Sequence, residues 1–317
     1  MSDHKPPVYT LAAIFFGILA VSTASILIRF AQQQAGSLVI AAYRLTIAAA
    51  VLAPVVIARR RREIASLSLR SAGLIALSGI FLALHFFSWI SSLSFTTVAS
   101  SVVLVSTTPL WVGIVAPFVI KEPLSRPLVY GMALAFLGGT IVGLSDTCTW
   151  VSRGLICPSL GDFLKGKTFI GDLLAIAGAI TAAGYLIIGR QLRSGISLLT
   201  YIFLVYGVAA VVLVFFAFVT GQQVIGFSPM TYVWFVALAI VPQLLGHSTF
   251  NWALKYLSAA FVSLTLLGEP IGSTILAYFI LDETPTLLKI IGAILILIGI
   301  VMASRTEQKP PEVIAPD

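Results

Sequence analysis

Long apolar segments alternate with short polar ones along almost the whole chain. Each apolar segment is close to the length of about 20 residues that a helix needs to cross the hydrocarbon core of a bilayer. The pattern therefore predicts an all-α membrane protein with ten transmembrane helices and one long connection, residues 146–170. The predicted helices are Tyr9–Phe30, Leu38–Ala58, Ala72–Ser91, Thr97–Ile120, Leu128–Ser145, Gly171–Arg190, Leu198–Thr220, Tyr232–Leu254, Ala259–Leu281 and Leu287–Ala303.

Two short polar tails flank the predicted helices. Residues 1–8 form an N-terminal tail, and residues 305–317 contain three prolines and are expected to be disordered. The first apolar segment is longer than the hydrophobic region of a signal peptide and lacks a convincing cleavage site. We therefore expect it to be retained as the first helix.

The composition supports a membrane protein and excludes a nucleic-acid-binding one. Hydrophobic residues make up 59% of the chain and charged residues only 10%, whereas an ordinary soluble domain contains about 25% charged residues. The formal net charge of +7 would suit a nucleic-acid partner. The basic residues, however, lie in short segments between apolar runs, so no soluble basic domain remains and no nucleic-acid partner is expected.

The distribution of Lys and Arg predicts the orientation in the membrane. Arg59–Arg62 and Arg70 fall in one loop between the second and third predicted helices, and this loop should be cytoplasmic because arginine clusters resist translocation. With alternating crossings, 13 of the 18 basic residues other than Arg44 lie on that side. We therefore expect both termini in the cytoplasm and a multi-pass protein of the cell (inner) membrane.

The two halves of the chain repeat each other at an offset of 161 positions, the distance from Pro109 to Pro270 (270 − 109). The same offset relates Gly17 to Gly178, Arg29 to Arg190, Phe95 to Tyr256, Glu122 to Glu283, Gly131 to Gly292 and Gly138 to Gly299. A five-helix unit enters the membrane the other way round in its second copy. We therefore predict two inverted five-helix repeats, residues 9–145 and 171–304, an architecture typical of secondary transporters. The glycines of the fifth and tenth helices predict close packing in a scaffold.

Two segments resemble a known family. TTPLWVGIVAPFVIKEPLS and GEPIGSTILAYFILDETPT each place a proline thirteen residues before a glutamate, Glu122 or Glu283, at a helix end. They resemble the paired signatures of EamA-type proteins in the drug/metabolite transporter superfamily, and the resemblance extends from Leu11 to Ala303. It implies ten helices in two EamA repeats and the transport, usually the export, of amino acids or other small metabolites. A nucleotide-sugar, lipid-precursor or cationic-drug carrier of the same fold is the alternative.

A few ionisable side chains fall inside the predicted helices, where a charge is costly and is a functional candidate by default. They are Arg44, His85, His247 and Glu269. Glu269 precedes Pro270, which removes a helical hydrogen bond and can kink the helix, and Pro109 occupies the matched position. We expect the two prolines to act as hinges beside a central site. Glu269 then either binds substrate or a proton, or only neutralises Arg44 or caps the freed backbone groups.

Polar and aromatic side chains extend this candidate site. Gln243, His247 and Asn251 recur every four residues and form one stripe, while His85, Ser88 and Trp89 lie on one face of the third predicted helix. Such stripes either line a polar cavity or join helices by hydrogen bonds, and their number favours a cavity. The aromatic candidates for stacking on a substrate are Tyr43, Trp89, Trp111 and Tyr185, each of which can also be an ordinary packing or interfacial residue.

The long connection contains two further features. Gly161–Thr168 matches the P-loop pattern, but a P-loop needs the strand and helix of an α/β domain, so no nucleotide is expected to bind. Cys148 and Cys157 lie on the predicted extracytoplasmic side, where a disulfide is chemically allowed. Two unpaired thiols are the alternative. The length of the connection and its cysteines depart from the EamA pattern.

Other classes of protein find little support in the sequence. The chain shows no catalytic dyad, no metal-ligand pattern and no soluble signalling domain, so we expect neither an enzyme nor a cofactor or metal site. The expected partners are a small-molecule substrate, the lipid bilayer and, as a coupling ion, protons. The chain can act as a monomer or a homodimer.

Overall fold

Helices account for nearly all of the computed structural model, which describes residues 9–122, 124–145, 149–151, 154–156 and 166–304. A π-helical segment, Ala239–His247, joins α10 to α11, and a 3-10 turn, Leu266–Gly268, joins α12 to α13. The α-helices are α1 (Thr10–Ser22), α2 (Ala24–Ala31), α3 (Ser37–Ala65), α4 (Leu69–Ser92), α5 (Val98–Val105), α6 (Thr108–Val119), α7 (Arg126–Leu144), α8 (Lys167–Arg193), α9 (Leu198–Val219), α10 (Pro229–Leu238), α11 (Ser248–Ala253), α12 (Ala259–Thr265), α13 (Glu269–Leu281) and α14 (Leu287–Ser304).

Eight helical segments of the described chain are long and apolar enough to cross a membrane. Four of these segments lie in the first half, where α1 with α2, α3, α4, and α5 with α6 each form one segment. The other four lie in the second half, between α8 and α13. Two further apolar helices, α7 and α14, pack against each other. Large apolar side chains such as Phe118 and Phe279 are exposed on the outside of the helices, as expected for surfaces that face lipid rather than water. The chain is therefore a multi-pass membrane protein.

The helices of the two halves pack symmetrically. Helix α3 packs against its repeat-related counterpart α9. Helix α4 of the first half packs against α8 of the second. In the same way, the π-helical segment, the counterpart of α4, packs against α1, the counterpart of α8. Helices α5 and α6 contact α8, and their counterpart α13 contacts α1 and α2. Exchanging the two halves leaves this pattern of neighbours unchanged, so each half buries its apolar faces mainly against the other.

Glycine determines how closely α7 and α14 approach. A Cβ atom at Gly138 would lie 2.5 Å from the carbonyl oxygen of Gly292, and one at Gly299 would lie 2.5 Å from the carbonyl oxygen of Gly131. The offset relates Gly138 to Gly299 and Gly131 to Gly292, so the two contacts are equivalent under the repeat. The prediction that these helices pack closely through glycine is confirmed.

The short connections lie in two groups. In the first group, Glu63 at the end of α3 accepts hydrogen bonds from the backbone N–H and the hydroxyl of Ser197, both 2.6 Å, just before α9. In the second group, Gln34 after α2 accepts a hydrogen bond of 2.8 Å from the N–H of Ser228 before α10. We call these groups the Glu63 end and the Gln34 end of the bundle.

Helix α3 corrects one prediction about the basic residues. Arg59–Arg62 do not lie in a loop, because α3 continues through them to Ala65, and only residues 66–68 separate α3 from α4. Hydropathy falls where the arginines begin, but arginine is a good helix former. The cluster therefore extends the helix beyond its apolar part.

The long connection adds one short hairpin to a chain that is otherwise helical in its described residues. Strands β1 (Thr149–Val151) and β2 (Gly154–Ile156) pair in antiparallel fashion, with Thr149 opposite Ile156. Cys148 and Cys157 lie outside the described residues, so the disulfide stays a prediction. Most of the P-loop-like segment also lies outside them.

Candidate functional site

Two repeat-related membrane segments are interrupted at the same position. The helix stops after α5 at Ser106 and Thr107, and after α12 it continues as the 3-10 turn Leu266–Gly268. Pro109 and Pro270 are each the second residue of the following helix, α6 or α13, where a missing N–H costs no helical hydrogen bond. The expected break in both segments is present, but each proline begins a new helix and does not kink a continuous one.

Thr108 and Glu269 are the first residues of α6 and α13, and the 161-position offset relates them to each other. The N-terminus of a helix stabilises a carboxylate because the partial positive charge of the helix dipole lies there. Arg44 interacts with Glu269 electrostatically, but the ion pairs within 4.0 Å among the described residues do not include these two. Glu269 therefore lies at a helix N-terminus without an ion pair among the described residues.

A central cavity lies between the two halves at these helix starts. It unites residues from α4, α5, α6, α8, the π-helical segment, α11, the 3-10 turn and α13. Glu269 is the acidic side chain of the wall. The lining residues are His85, Trp89, Val105, Ser106, Thr108, Ala182, Tyr185, Leu186, His247, Phe250, Leu266 and Glu269.

Aromatic rings form one side of the cavity. The ring of His85 is parallel to the indole of Trp89, with centroids 6.0 Å apart and an interplanar angle of 14°, and lies 6.4 Å from the ring of His247. His85 Nδ1 lies 3.0 Å from the carbonyl oxygen of Gly178. A carbonyl only accepts hydrogen bonds, so Nδ1 carries the proton and Nε2 is left as an acceptor in the neutral ring.

A hydrogen-bond network fixes Tyr185, another lining residue. The side-chain amide of Asn251 donates to the hydroxyl of Tyr185, and it also donates to the carbonyl oxygen of His247 at 2.8 Å. Asn251 therefore connects α8 to the π-helical segment and α11. It does not line the cavity itself, and its contact with the hydroxyl of Tyr185 holds that side chain in position.

Arg44 is completely buried behind the aromatic wall. Its Nε donates a hydrogen bond of 2.8 Å to Gln243 Oε1, and its guanidinium carbon lies 4.1 Å from the centre of the Phe86 ring. Phe86 in turn contacts the ring of His247, with centroids 5.2 Å apart. Both terminal nitrogens of Arg44 are buried without a hydrogen-bond partner among the described residues. Arg44 therefore adds positive charge next to the cavity without forming its surface.

The structure does not bring every sequence candidate to this cavity. The hydroxyl of Tyr43 donates to the carbonyl oxygen of Val224 at 2.7 Å, near the Gln34 end, and Trp111 Nε1 donates to Thr107 Oγ1 at 3.3 Å on α6. Ser88 is half-buried and lies outside the lining. Five candidates, His85, Trp89, Tyr185, His247 and Glu269, do line the cavity.

Sequence reasoning missed several lining residues, of which Thr108 is the most informative. Its position is that of Glu269 in the other repeat, so the 161-position offset contained the signal. Ser106 could also have been predicted, because it lies close to the helix break expected at Pro109. Phe250, Leu186 and Ala182 carried no signal, because apolar residues on membrane helices are too common to single out.

Comparison with known proteins identifies the family. The model of the EamA-like transporter family matches residues 8–144 and again residues 169–305. This chain belongs to the EamA-like transporter family. The family therefore occurs twice in the chain, once in each half, and the protein is a membrane transporter. The paired proline–glutamate segments were a correct guide to the family.

Relatives of this EamA-like transporter are transporters too. It is 23% identical to an uncharacterized transporter of Archaeoglobus fulgidus over 236 residues, which are 74% of this chain and 76% of that protein. It is 25% identical to an uncharacterized transporter of Bacillus subtilis over 224 residues, 69% of this chain and 68% of that protein. A solved crystal structure, 18% identical, superposes with a TM-score of 0.71 over 96% of this chain and 99% of the other, which shows a shared fold.

Proposed function

We propose that this protein is a secondary active transporter that exports amino acids or similar small metabolites by alternating access. The observation that carries the proposal is the central cavity, which lies between the two halves where α6 and α13 begin. The N-terminus of a helix carries partial positive charge that favours an anionic group, and interrupted helices at a central cavity are typical of transporters. Glu269, buried in this cavity, is the side chain on which substrate binding is expected to depend.

The proposed architecture is ten helices in two inverted five-helix repeats, with α7 and α14 as the fifth and tenth. The symmetric packing of the halves supports it, because the main helix–helix contacts between them recur when the halves are exchanged. A unit of five crossings reverses its direction in the second copy, and two such units can rock about the site between them. Both termini are then cytoplasmic, and the membrane is the cell membrane.

The chemistry of the cavity wall favours a small amine-containing substrate. The Glu269 carboxylate can pair with an ammonium group, the hydroxyl of Ser106 can donate a hydrogen bond to a carboxylate, and Trp89 can contact an apolar side chain. The lining contains no Lys or Arg. A nucleotide sugar or a lipid diphosphate would contact no basic side chain in this lining and would face the Glu269 carboxylate, so these alternatives are disfavoured.

An organic monocation is the second candidate substrate. A cavity lined by one carboxylate and by the rings of Trp89 and Tyr185 attracts a cation through charge and through the faces of the rings. Arg44, close behind the wall, opposes such a ligand. Protons are the proposed coupling ion in either case, because Glu269 can exchange its ammonium ligand for a proton during the cycle.

Transport by purified protein in proteoliposomes tests the proposal. Vesicles loaded with an unlabelled amino acid should accumulate the same labelled amino acid, and an imposed pH gradient should drive net movement. A panel of amino acids and one permanently charged organic cation separates the two candidates. Monodisperse protein that exchanges no member of either class would refute the proposal.

A further inference from the structure

The arginines and glutamates related by the 161-position offset meet each other across the two halves. Arg190 Nε lies 2.6 Å from Glu122 Oε1 at the Glu63 end. Arg29 Nη2 lies 3.7 Å from Glu283 Oε1 at the Gln34 end. In each pair the arginine belongs to the last turn of the first membrane segment of one half, and the glutamate follows the fourth segment of the other half. All four side chains are 21–29% exposed.

The surroundings of the two pairs are also related. Arg190 Nη1 donates to the carbonyl oxygen of Leu254 at 2.8 Å, in the connection before α12. Arg29 Nη2 donates to the carbonyl oxygen of Thr96 at 2.9 Å, in the connection before α5. Each arginine therefore holds the start of the interrupted segment of its own half, while its glutamate partner comes from the other half. Movement of that segment would have to break the arginine's contacts.

The two pairs differ in how far they are engaged. Glu122 Oε2 accepts a hydrogen bond of 3.1 Å from the backbone N–H of Ala259, the first residue of α12, so both of its oxygens are in use. Glu283 Oε2 is buried without a hydrogen-bond partner among the described residues. The offset assigns Val98, the first residue of α5, as the repeat-related position of Ala259. The Glu63 end is thus tightly joined, while the equivalent contacts at the Gln34 end are incomplete.

We propose that Arg190–Glu122 and Arg29–Glu283 are two gate latches that engage alternately at the two ends of the bundle. The structure shows the state in which the Arg190–Glu122 latch is engaged and the Arg29–Glu283 latch is loosened. In the opposite state Glu283 approaches Arg29 and the N-terminus of α5, while Glu122 leaves Arg190 and α12. The four residues are positioning residues, since none touches the central cavity. This inference rests on the proposed alternating access and specifies which contacts must exchange.

Distances between spin labels at each end test the proposal without any substrate. In a background with both native cysteines replaced by serine, one label pair at Ser125 and Ser194 reports the Glu63 end. A second pair at Gln33 and Thr284 reports the Gln34 end. The measurement is made in lipid nanodiscs, and each end is expected to show a short and a long population, anticorrelated between the ends.

Glu122→Gln and Glu283→Gln should shift these populations in opposite directions. Glu122→Gln should raise the long population at the Glu63 end and the short one at the Gln34 end, and Glu283→Gln should do the reverse. Partly exposed ion pairs predict a shift of about fivefold in the ratio of the two states. Arg60→Gln is the matched control, because the Arg60–Glu63 pair, 3.8 Å long, lies within α3, and it should change neither end.

Two outcomes would overturn the proposal. One is that both glutamate variants leave the distances as in the parent protein, and the other is that both shift the same end in the same direction. Since no substrate is present, failure of the transport assay does not affect this result. Conversely, normal transport with unchanged distances would refute the latches and leave the proposed function standing.

Discussion

A single methyl group on α7 should separate two helices that touch through glycine. Gly138→Ala places a Cβ atom 2.5 Å from the backbone carbonyl oxygen of Gly292, which is 0.5 Å inside the 3.0 Å below which Cβ contacts essentially never occur. The obstacle is backbone, so no side-chain rotation relieves it. The adjacent Gly139→Ala is a matched control, because its Cβ would meet Val103 at an ordinary 3.6 Å.

The magnitude follows from two opposing effects. Alanine is favoured over glycine in a helix by about 1 kcal/mol, and both variants gain this amount. Overpacking costs about 1–3 kcal/mol, and only Gly138→Ala meets it. With a midpoint of about 2 kcal/mol for that cost, the two variants should differ by about 2 kcal/mol, and Gly138→Ala should be the less stable. Since each kcal/mol shifts the melting temperature by about 2 °C in a chain of this size, Gly138→Ala should melt about 4 °C below Gly139→Ala.

Thermal unfolding in one detergent, at one protein concentration and one heating rate, provides the comparison. Gly299→Ala meets the carbonyl oxygen of Gly131 at the same 2.5 Å, so it should melt close to Gly138→Ala. A Gly138→Ala protein that melts at or above Gly139→Ala would show that α7 and α14 do not pack through these glycines. Agreement between the two repeat-related variants would support the symmetric crossing.

Three further predictions concern function, topology and the long connection. Glu269→Gln should fold and insert normally but reduce pH-driven transport in proteoliposomes by at least about tenfold. The loss of one charge interaction of about 1.4 kcal/mol corresponds to that factor. Transport at the wild-type rate at every pH would show that Glu269 is structural. Reporter domains fused after Arg62 and after Lys309 should both lie in the cytoplasm, and an external position of either contradicts ten alternating crossings. Cys148 and Cys157 should resist alkylation in intact cells until a reductant is added, whereas prompt labelling would show free thiols.

The offset of 161 positions anticipated much of the tertiary structure. It relates Gly138 to Gly299 and Arg29 to Arg190, and both relations recur as paired contacts in the fold. It did not reveal which glutamate each arginine meets. A contact inside one half and a contact across the halves are equally compatible with the same spacing, so only the packing of one half on the other decides between them.

Local patterns located the interrupted helices but not the details of the interruptions. A proline shows where a helix must lose an N–H, yet both Pro109 and Pro270 also fit the first turn of a new helix. The π-helical turn, Ala239–His247, keeps residues four apart on nearly the same face. The spacing of Gln243 and His247 therefore did not indicate that this segment is π-helical.

The sequence by itself determined the membrane class, the repeat and the family, because transfer free energies and helical periodicity are properties of short segments. The tertiary structure decided which polar faces meet. Tyr43 and Trp111 looked as suitable as Trp89, but the rotation of each helix about its axis turns only Trp89 into the cavity. That rotation is set by the apolar contacts of all neighbouring helices together. In a chain where almost every face is apolar, hydrophobicity does not distinguish the side facing lipid from the side facing protein.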